Sequence, residues 1–313
     1  MTSFRRLAVG STAATVLLVA IGGLVRATKS GLGCGTDWPK CSGELLPALE
    51  NRALAIEYSH RVAASVVVIL LAWLALLAVR ARSRYPKLMW PSVAAFGVVL
   101  SQALLGLVVV KLELQAVSVT LHLGTAMALL GLLVYLTIVA FALDDRLPVR
   151  ADAALSRSAW TAAGWVLAVL LVGSYVTGRG AGLAFPDWPL MDGSPVPDLT
   201  VETNAIHFLH RVLAVAGAVV VVHLGSKVVA RRSELGFQAK LAHAAMGLYA
   251  VELALGALNV WTELNAAAVS LHLLVAAAIW GTLVALAVSS RPDLAATRAD
   301  RAANARPILE PGR

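Results

Sequence analysis

Hydrophobic and polar positions along this chain separate into blocks much longer than the faces of a soluble protein. Apolar runs occupy residues 7–26, 54–79, 91–110, 117–142, 158–177, 205–229, 240–261 and 266–289. Each is about 20 residues or more, the length an α-helix needs to cross a hydrocarbon core of roughly 30 Å. Between the runs the chain turns polar, with Gly, Pro, Lys and Arg gathered in the gaps. The pattern predicts an all-α membrane protein with eight transmembrane helices. The first run follows Arg5 and Arg6 as the apolar part of a signal peptide does, but it is long and has no small-x-small exit before Arg26, so it is read as a helix.

The eight runs form two sets of four. Glu57-Tyr58-Ser59-His60-Arg61 returns as His207-Phe208-Leu209-His210-Arg211, an offset of 150 residues. The same offset carries Asp37-Trp38-Pro39 onto Asp187-Trp188-Pro189, Leu105-Gly106 onto Leu255-Gly256, and Leu121-His122-Leu123 onto Leu271-His272-Leu273. One gap-free offset through four stretches predicts two tandem four-helix bundles related by an internal repeat. The N-terminal bundle is expected at 1–143, a charged cytoplasmic linker at 144–157 and the C-terminal bundle at 158–290. The tail, 291–313, has Arg, Asp, Ala and Pro without an apolar period and is expected to be disordered.

Charge orients the helices. With the N-terminus in the cytoplasm, 18 of the 26 Lys and Arg residues fall on the cytoplasmic side, as the positive-inside bias requires. Both termini are therefore expected in the cytoplasm of a multi-pass protein of the cell membrane. The long loops 27–53 and 178–204 then lie outside. Composition agrees, since 59% of residues are hydrophobic, 14% are charged and the mean hydropathy is +0.78. A net charge of +8 is spread over short loops without a basic face or interleaved aromatics, which excludes nucleic acid as a partner.

Candidate chemistry centres on four histidines. His60 with His122, and His210 with His272, are spaced 62 residues apart in each half, each near the outer end of its own apolar run. Ionisable groups inside a bilayer are costly and point to function. Two neutral imidazoles on facing helices can hold a metal from opposite sides. No Cys, Asp or Glu accompanies each pair deep in the helices, so a closed zinc site is poorly supplied. A haem brings four equatorial nitrogens and needs only axial ligands. Arg61 and Arg211 suit its propionates, the alternative being interfacial snorkelling. Gly106 and Gly256 leave room for a flat macrocycle or for a neighbouring helix. His207, one turn before His210, is a second candidate ligand, whereas His223 and His243 lie too far along their helices to join either pair. Glu252, opposite Gln102 of the first half, is read either as part of a proton route or as an interhelical hydrogen-bond partner. The only cysteines, Cys34 and Cys41, share one loop, either as a local clasp or as a reactive thiol pair.

Glu57-x-x-His60-Arg61, the duplicated four-helix unit, and the loop from Gly31-Leu32-Gly33-Cys34 to Asp37-Trp38-Pro39-x-Cys41 together resemble haem A synthases of the bacterial type, over residues 1 to about 290. The resemblance implies an enzyme that oxidises the C8 methyl group of haem O to a formyl group, giving haem A for terminal oxidases. It implies that His60 and His122 hold the substrate haem O, that His210 and His272 hold a haem b cofactor, that Glu57 is the essential carboxylate, and that Cys34 and Cys41 form an external disulfide. It also implies work beside the farnesyltransferase that makes haem O and beside an electron donor the sequence does not name, in a lipid bilayer, with homo-oligomer formation left open. The symmetry breaks support this division: Glu57 becomes His207, Cys34 becomes Ala184 and Cys41 becomes Met191. A bis-histidine dihaem electron carrier without turnover uses the same histidines but leaves Glu57 and the unequal loops unexplained. A transporter is disfavoured because parallel repeats do not set broken helices at the midplane.

Overall fold

The computed structural model describes residues 1–297. Among them the long elements are eight α-helices: α1 (Thr2–Ala27), α2 (Arg52–Arg80), α3 (Pro86–Lys111), α4 (Ala116–Ala142), α5 (Ala153–Gly178), α6 (Glu202–Ala230), α7 (Gly236–Trp261) and α8 (Ala266–Ser289). All eight are long and apolar enough to span a bilayer. The chain is a multi-pass helical membrane protein. The ends of the helices obey local chemistry: Asn51 caps α2 by accepting the Leu54 N–H at 2.9 Å, and Asp152 caps α5 by accepting that of Leu155 at 2.8 Å. The Asp152 carboxyl is held below its ordinary range, chiefly by that backbone N–H.

Helices α1 to α4 pack around one another in a ring, and α5 to α8 do the same. The rings join through α1 and α4 on one side and α5 and α8 on the other. That is why α4 and α8 are the most buried spans, while α2, α3, α6 and α7 turn Ile69, Trp73, Leu104, Val219 and Val251 outward as a lipid-facing surface needs. Small residues set the seam. A Cβ on Gly131 of α4 would lie 2.4 Å from the Trp280 ring of α8, and one on Gly178 of α5 would lie 2.7 Å from the Ala116 side chain. One continuous buried apolar cluster runs through both rings.

The paired elements α2 and α6, and α3 and α7, begin and end 150 residues apart, but α1 and α5 are 151 apart. The loop after α1 is therefore one residue longer than its counterpart. Both loops contain a cis Trp-Pro bond, at Trp38-Pro39 and Trp188-Pro189, and a matching bridge, Cys41 with Glu44 and Met191 with Ser194.

Two boundaries differ from expectation. The linker is shorter, because residues 153–157 already belong to α5; Arg157 interrupts the hydropathy without interrupting the backbone, and Asp152 starts the helix earlier. What remains is tied down, with Arg150 and Asp152 N–H groups bonded to the Ser289 and Ser290 carbonyls at 3.1 and 3.0 Å. The tail is not structureless from residue 291: residues 292–297 are helical, Leu294 is buried, and the Lys87 amine reaches the Asp293 carbonyl at 3.2 Å. One apolar side chain and one cation are enough to dock this turn, although the segment shows no apolar period. The remainder of the expected tail, 298–313, lies outside the described residues.

Candidate functional site

The four histidines lie within about the first two turns of α2, α4, α6 and α8. Each imidazole rests against a glycine of the helix before it. A Cβ built on Gly22 of α1 would lie 3.2 Å from His60 Cε1, and on Gly173 of α5 2.8 Å from His210 Cε1. Gly106 of α3 and Gly256 of α7 stand in the same relation to His122 and His272, each at 3.5 Å. The space at Gly106 and Gly256 thus admits an imidazole rather than a helix backbone. Gly22 and Gly173 were not singled out in the sequence because their spacing of 151 residues misses the 150-residue offset. His60 and His122 stand on α2 and α4 of the first ring, and His210 and His272 on α6 and α8 of the second.

The Nδ1 atoms of His60, His122 and His210 are buried with no hydrogen-bond partner. A buried orphan of this kind costs on the order of 1–3 kcal/mol and calls for an explanation. Among the described residues no three or more His, Cys, Asp or Glu side chains come together as a metal cluster. The donor set is therefore pairs of imidazoles, which fits a macrocyclic metal needing two axial ligands and does not fit tetrahedral zinc.

Above the N-terminal pair, the loop after α1 is clamped onto α2. Cys34 and Cys41 form a disulfide with Cα atoms 4.5 Å apart, both cysteines buried. Gly33 is pressed against the start of α2, where a Cβ would fall 2.5 Å from the Ala53 carbonyl, so only glycine fits. Glu57 is 4% exposed and fully engaged: one carboxylate oxygen accepts the Cys34 N–H at 2.8 Å, and the other accepts from Arg61. The second guanidinium nitrogen of Arg61 donates to the Asp37 and Lys40 carbonyls at 2.8 and 2.6 Å. Tyr58 adds a hydroxyl bond to the Leu45 carbonyl at 2.9 Å.

The C-terminal loop keeps the clamp and changes the parts. Arg211 donates to the Leu190 and Asp187 carbonyls at 2.8 and 3.0 Å, positions equivalent to Lys40 and Asp37. Its Nε donates to His207 Nε2 at 3.1 Å, and the Phe185 ring lies 5.2 Å from that of His207. His207 Nε2 is thereby engaged by Arg211, while its Nδ1 is buried without a partner. Where the first loop has a disulfide, the second folds around Asp187, whose carboxylate accepts the Asp192 and Gly193 N–H groups at 2.8 and 2.9 Å. The Gly193 N–H is the main reason that the Asp187 carboxyl lies below its ordinary range. Both arginines, expected at haem propionates, spend donors on their own loops; a hydrophobicity pattern carries no sign of which carbonyls a guanidinium will meet.

Among the differences between α3 and α7, one bears on the histidines. The Gln102 amide donates to the His122 backbone carbonyl at 2.7 Å, and its oxygen accepts from Thr125. Its counterpart Glu252 turns to the side chain instead, with Oε1 3.0 Å from His272 Nδ1. That separation is within hydrogen-bond distance, but the ring N–H direction is not aligned for a bond. Far from both pairs, the His243 ring packs back on the Ala239 carbonyl at 3.1 Å and His223 is exposed.

Fold and site together define a polytopic helical protein whose two bundles each present a histidine pair beneath a clamped loop. Comparison with known proteins gives that class a family. Residues 5–284 match the model of COX15-CtaA, described as cytochrome oxidase assembly protein. The chain is 31% identical over 218 residues to a protein of Shouchella clausii named "Heme A synthase", covering 67% of this chain and 71% of that one. Proteins of the same name from Symbiobacterium thermophilum and Staphylococcus carnosus are each 28% identical, over 93% and 89% of this chain and 97% and 92% of theirs. The chain belongs to the COX15-CtaA family.

Proposed function

We propose that this protein is a haem A synthase, an oxidoreductase that converts haem O to haem A for terminal oxidases by oxidising a ring methyl group to a formyl group. The observation that carries this reading, beside the family, is the duplicated histidine pair under two loops that differ in chemistry. His60 and His122 hold haem O as substrate. His210 and His272 hold a haem b, which when bound supplies electron transfer to or from the substrate side. The rest is done by the chain. Each glycine notch fixes the orientation of an imidazole. Arg61 and Arg211 hold the loops over the pairs and exclude water, and propionates are met only by donors those loops leave free. Glu57 keeps a negative charge at the junction of the disulfide loop and α2, one turn from His60 on the same face, where it orders Arg61 and the loop for turnover.

Parity of the eight spans and the Lys and Arg distribution support cytoplasmic termini in the cell membrane, with both pairs near the external face. Haem O then arrives from a farnesyltransferase within the bilayer, and electrons from a separate donor. The test is to purify the chain from its membrane, extract its haems and identify them by mass spectrometry. Haem b together with haem O or haem A is expected. A preparation holding only haem b in both halves, with no haem A formed by cells expressing it, favours the dihaem electron carrier instead.

A further inference from the structure

Among the described residues, one of the four imidazoles has a carboxylate within 3.0 Å of its ring nitrogen. Nδ1 of all four rings is buried without an aligned hydrogen bond, but His272 Nδ1 has a carboxylate oxygen, Glu252 Oε1, 3.0 Å away. Glu252 stands on α7, one turn before Gly256, the glycine that backs the His272 ring. Notch and carboxylate therefore bear on the same imidazole. The other carboxylate oxygen, Oε2, is buried and unpartnered, so no arginine or lysine diverts the acid. In the first half the same position is Gln102, and it binds the backbone carbonyl of His122 and the Thr125 hydroxyl rather than the ring. The difference is thus in chemistry and in geometry.

We propose that Glu252 is a positioning residue that sets the reduction potential of the C-terminal site, by holding a carboxylate 3.0 Å from Nδ1 of His272, which favours the tautomer with its proton on Nδ1 and leaves Nε2 to ligate. This rests on the reading of His272 as an axial ligand. A carboxylate behind a ligating histidine fixes ring and tautomer and raises ligand basicity. A more basic imidazole stabilises ferric over ferrous iron, so the C-terminal centre has the lower potential of the two. No such acid stands behind His122, and the substrate side keeps the higher potential. The asymmetry drives electrons toward the bundle with the disulfide loop.

The test is a redox titration of full-length protein purified from cells that make haem b but no haem O, in a His122→Ala background so that the C-terminal pair alone reports. Glu252→Gln keeps the size and a neutral acceptor. It is expected to retain a low-spin spectrum while its oxidised-to-reduced ratio at a fixed potential falls about tenfold, a rise of about 59 mV for a one-electron couple. An unchanged ratio overturns the proposal, since a residue that only packs is fully rescued by glutamine. Should Glu252→Gln lose the haem, Glu252→Asp decides: a low-spin spectrum at the parental ratio supports the need for charge, and loss in both variants assigns Glu252 to packing. A low-spin spectrum that survives His272→Ala removes the ligand assignment itself, an outcome separate from any shift in Glu252→Gln.

Discussion

At the scale of single residues, the histidines owe their orientation to absent side chains. An imidazole in a loose pocket samples several rotamers, and a glycine opposite it lets a neighbouring helix act as a wall. The four notches are not equal, and their gaps rank the effect of adding one methyl group. Gly173→Ala, with 2.8 Å to His210 Cε1, forces the ring to move; Gly22→Ala, at 3.2 Å, presses on His60; Gly106→Ala and Gly256→Ala, at 3.5 Å, make ordinary contact. Haem content per folded protein, read from the Soret band, is therefore expected to fall most for Gly173→Ala and least for the last two. Equal losses in all four would show that the notches do not aim the rings. Glu57 belongs to this scale as well. Glu57→Gln leaves the partly buried Arg61 without its counter-charge, and haem A formation is expected to drop on the order of 10², the scale of a misplaced reacting centre, while the haem b signal of the other half stays. The haem profile of membranes normalised to folded protein measures both, and full haem A production would reduce Glu57 to a loop contact.

Among elements, the loops after α1 and α5 perform one task with different chemistry. Both are pinned by an arginine to the carbonyls at equivalent positions, and both press a glycine on a leucine of the turn between the last two helices of the ring, Gly31 on Leu114 and Gly182 on Leu264. Only the first is closed by a disulfide; a loop that short gains roughly 2.5 kcal/mol on the chain-entropy estimate. The second relies on Asp187 and two backbone N–H groups. Reductant should therefore loosen one loop and spare the other. Limited proteolysis of the purified protein with and without dithiothreitol is expected to open new cleavage sites between 28 and 51 but none between 179 and 201. Thiols that label freely before reduction would mean that the clasp does not form in the membrane.

Across the whole molecule, the seam between the rings is where small residues matter most. Water is absent from the bilayer core, so helix association depends on packing rather than on hydrophobic burial. Gly131 lets the Trp280 ring lie against α4, and the Thr120 hydroxyl reaches Ser174 at 3.3 Å across the same seam. Gly131→Val inserts branched carbons where a single Cβ already lies 2.4 Å from the indole. Overpacking of that kind costs about 1–3 kcal/mol, and a lower melting temperature in detergent is expected with each histidine pair intact. His210→Ala and His272→Ala should do the reverse, removing the low-spin C-terminal spectrum while the helices persist by circular dichroism. A spectrum unchanged in both variants would overturn the assignment of that site.

Sequence by itself determined the class of the molecule: eight runs of sufficient length and hydropathy leave the backbone no solution in lipid other than helices. It also singled out the four histidines, because a repeated histidine on a repeated apolar segment needs no coordinates to be seen. Two cysteines in one loop left a clasp or a reactive thiol pair open, and the structure holds the disulfide that the resemblance implied. Tertiary structure alone decided what each polar group meets. Arg61 and Arg211 turned to loop carbonyls, Glu57 to the Cys34 N–H, and Glu252 to an imidazole where Gln102 chose a carbonyl. The physical reason is range. Hydropathy is a sum along the chain and survives averaging, whereas a hydrogen bond depends on a few tenths of an ångström between segments 20 or more residues apart.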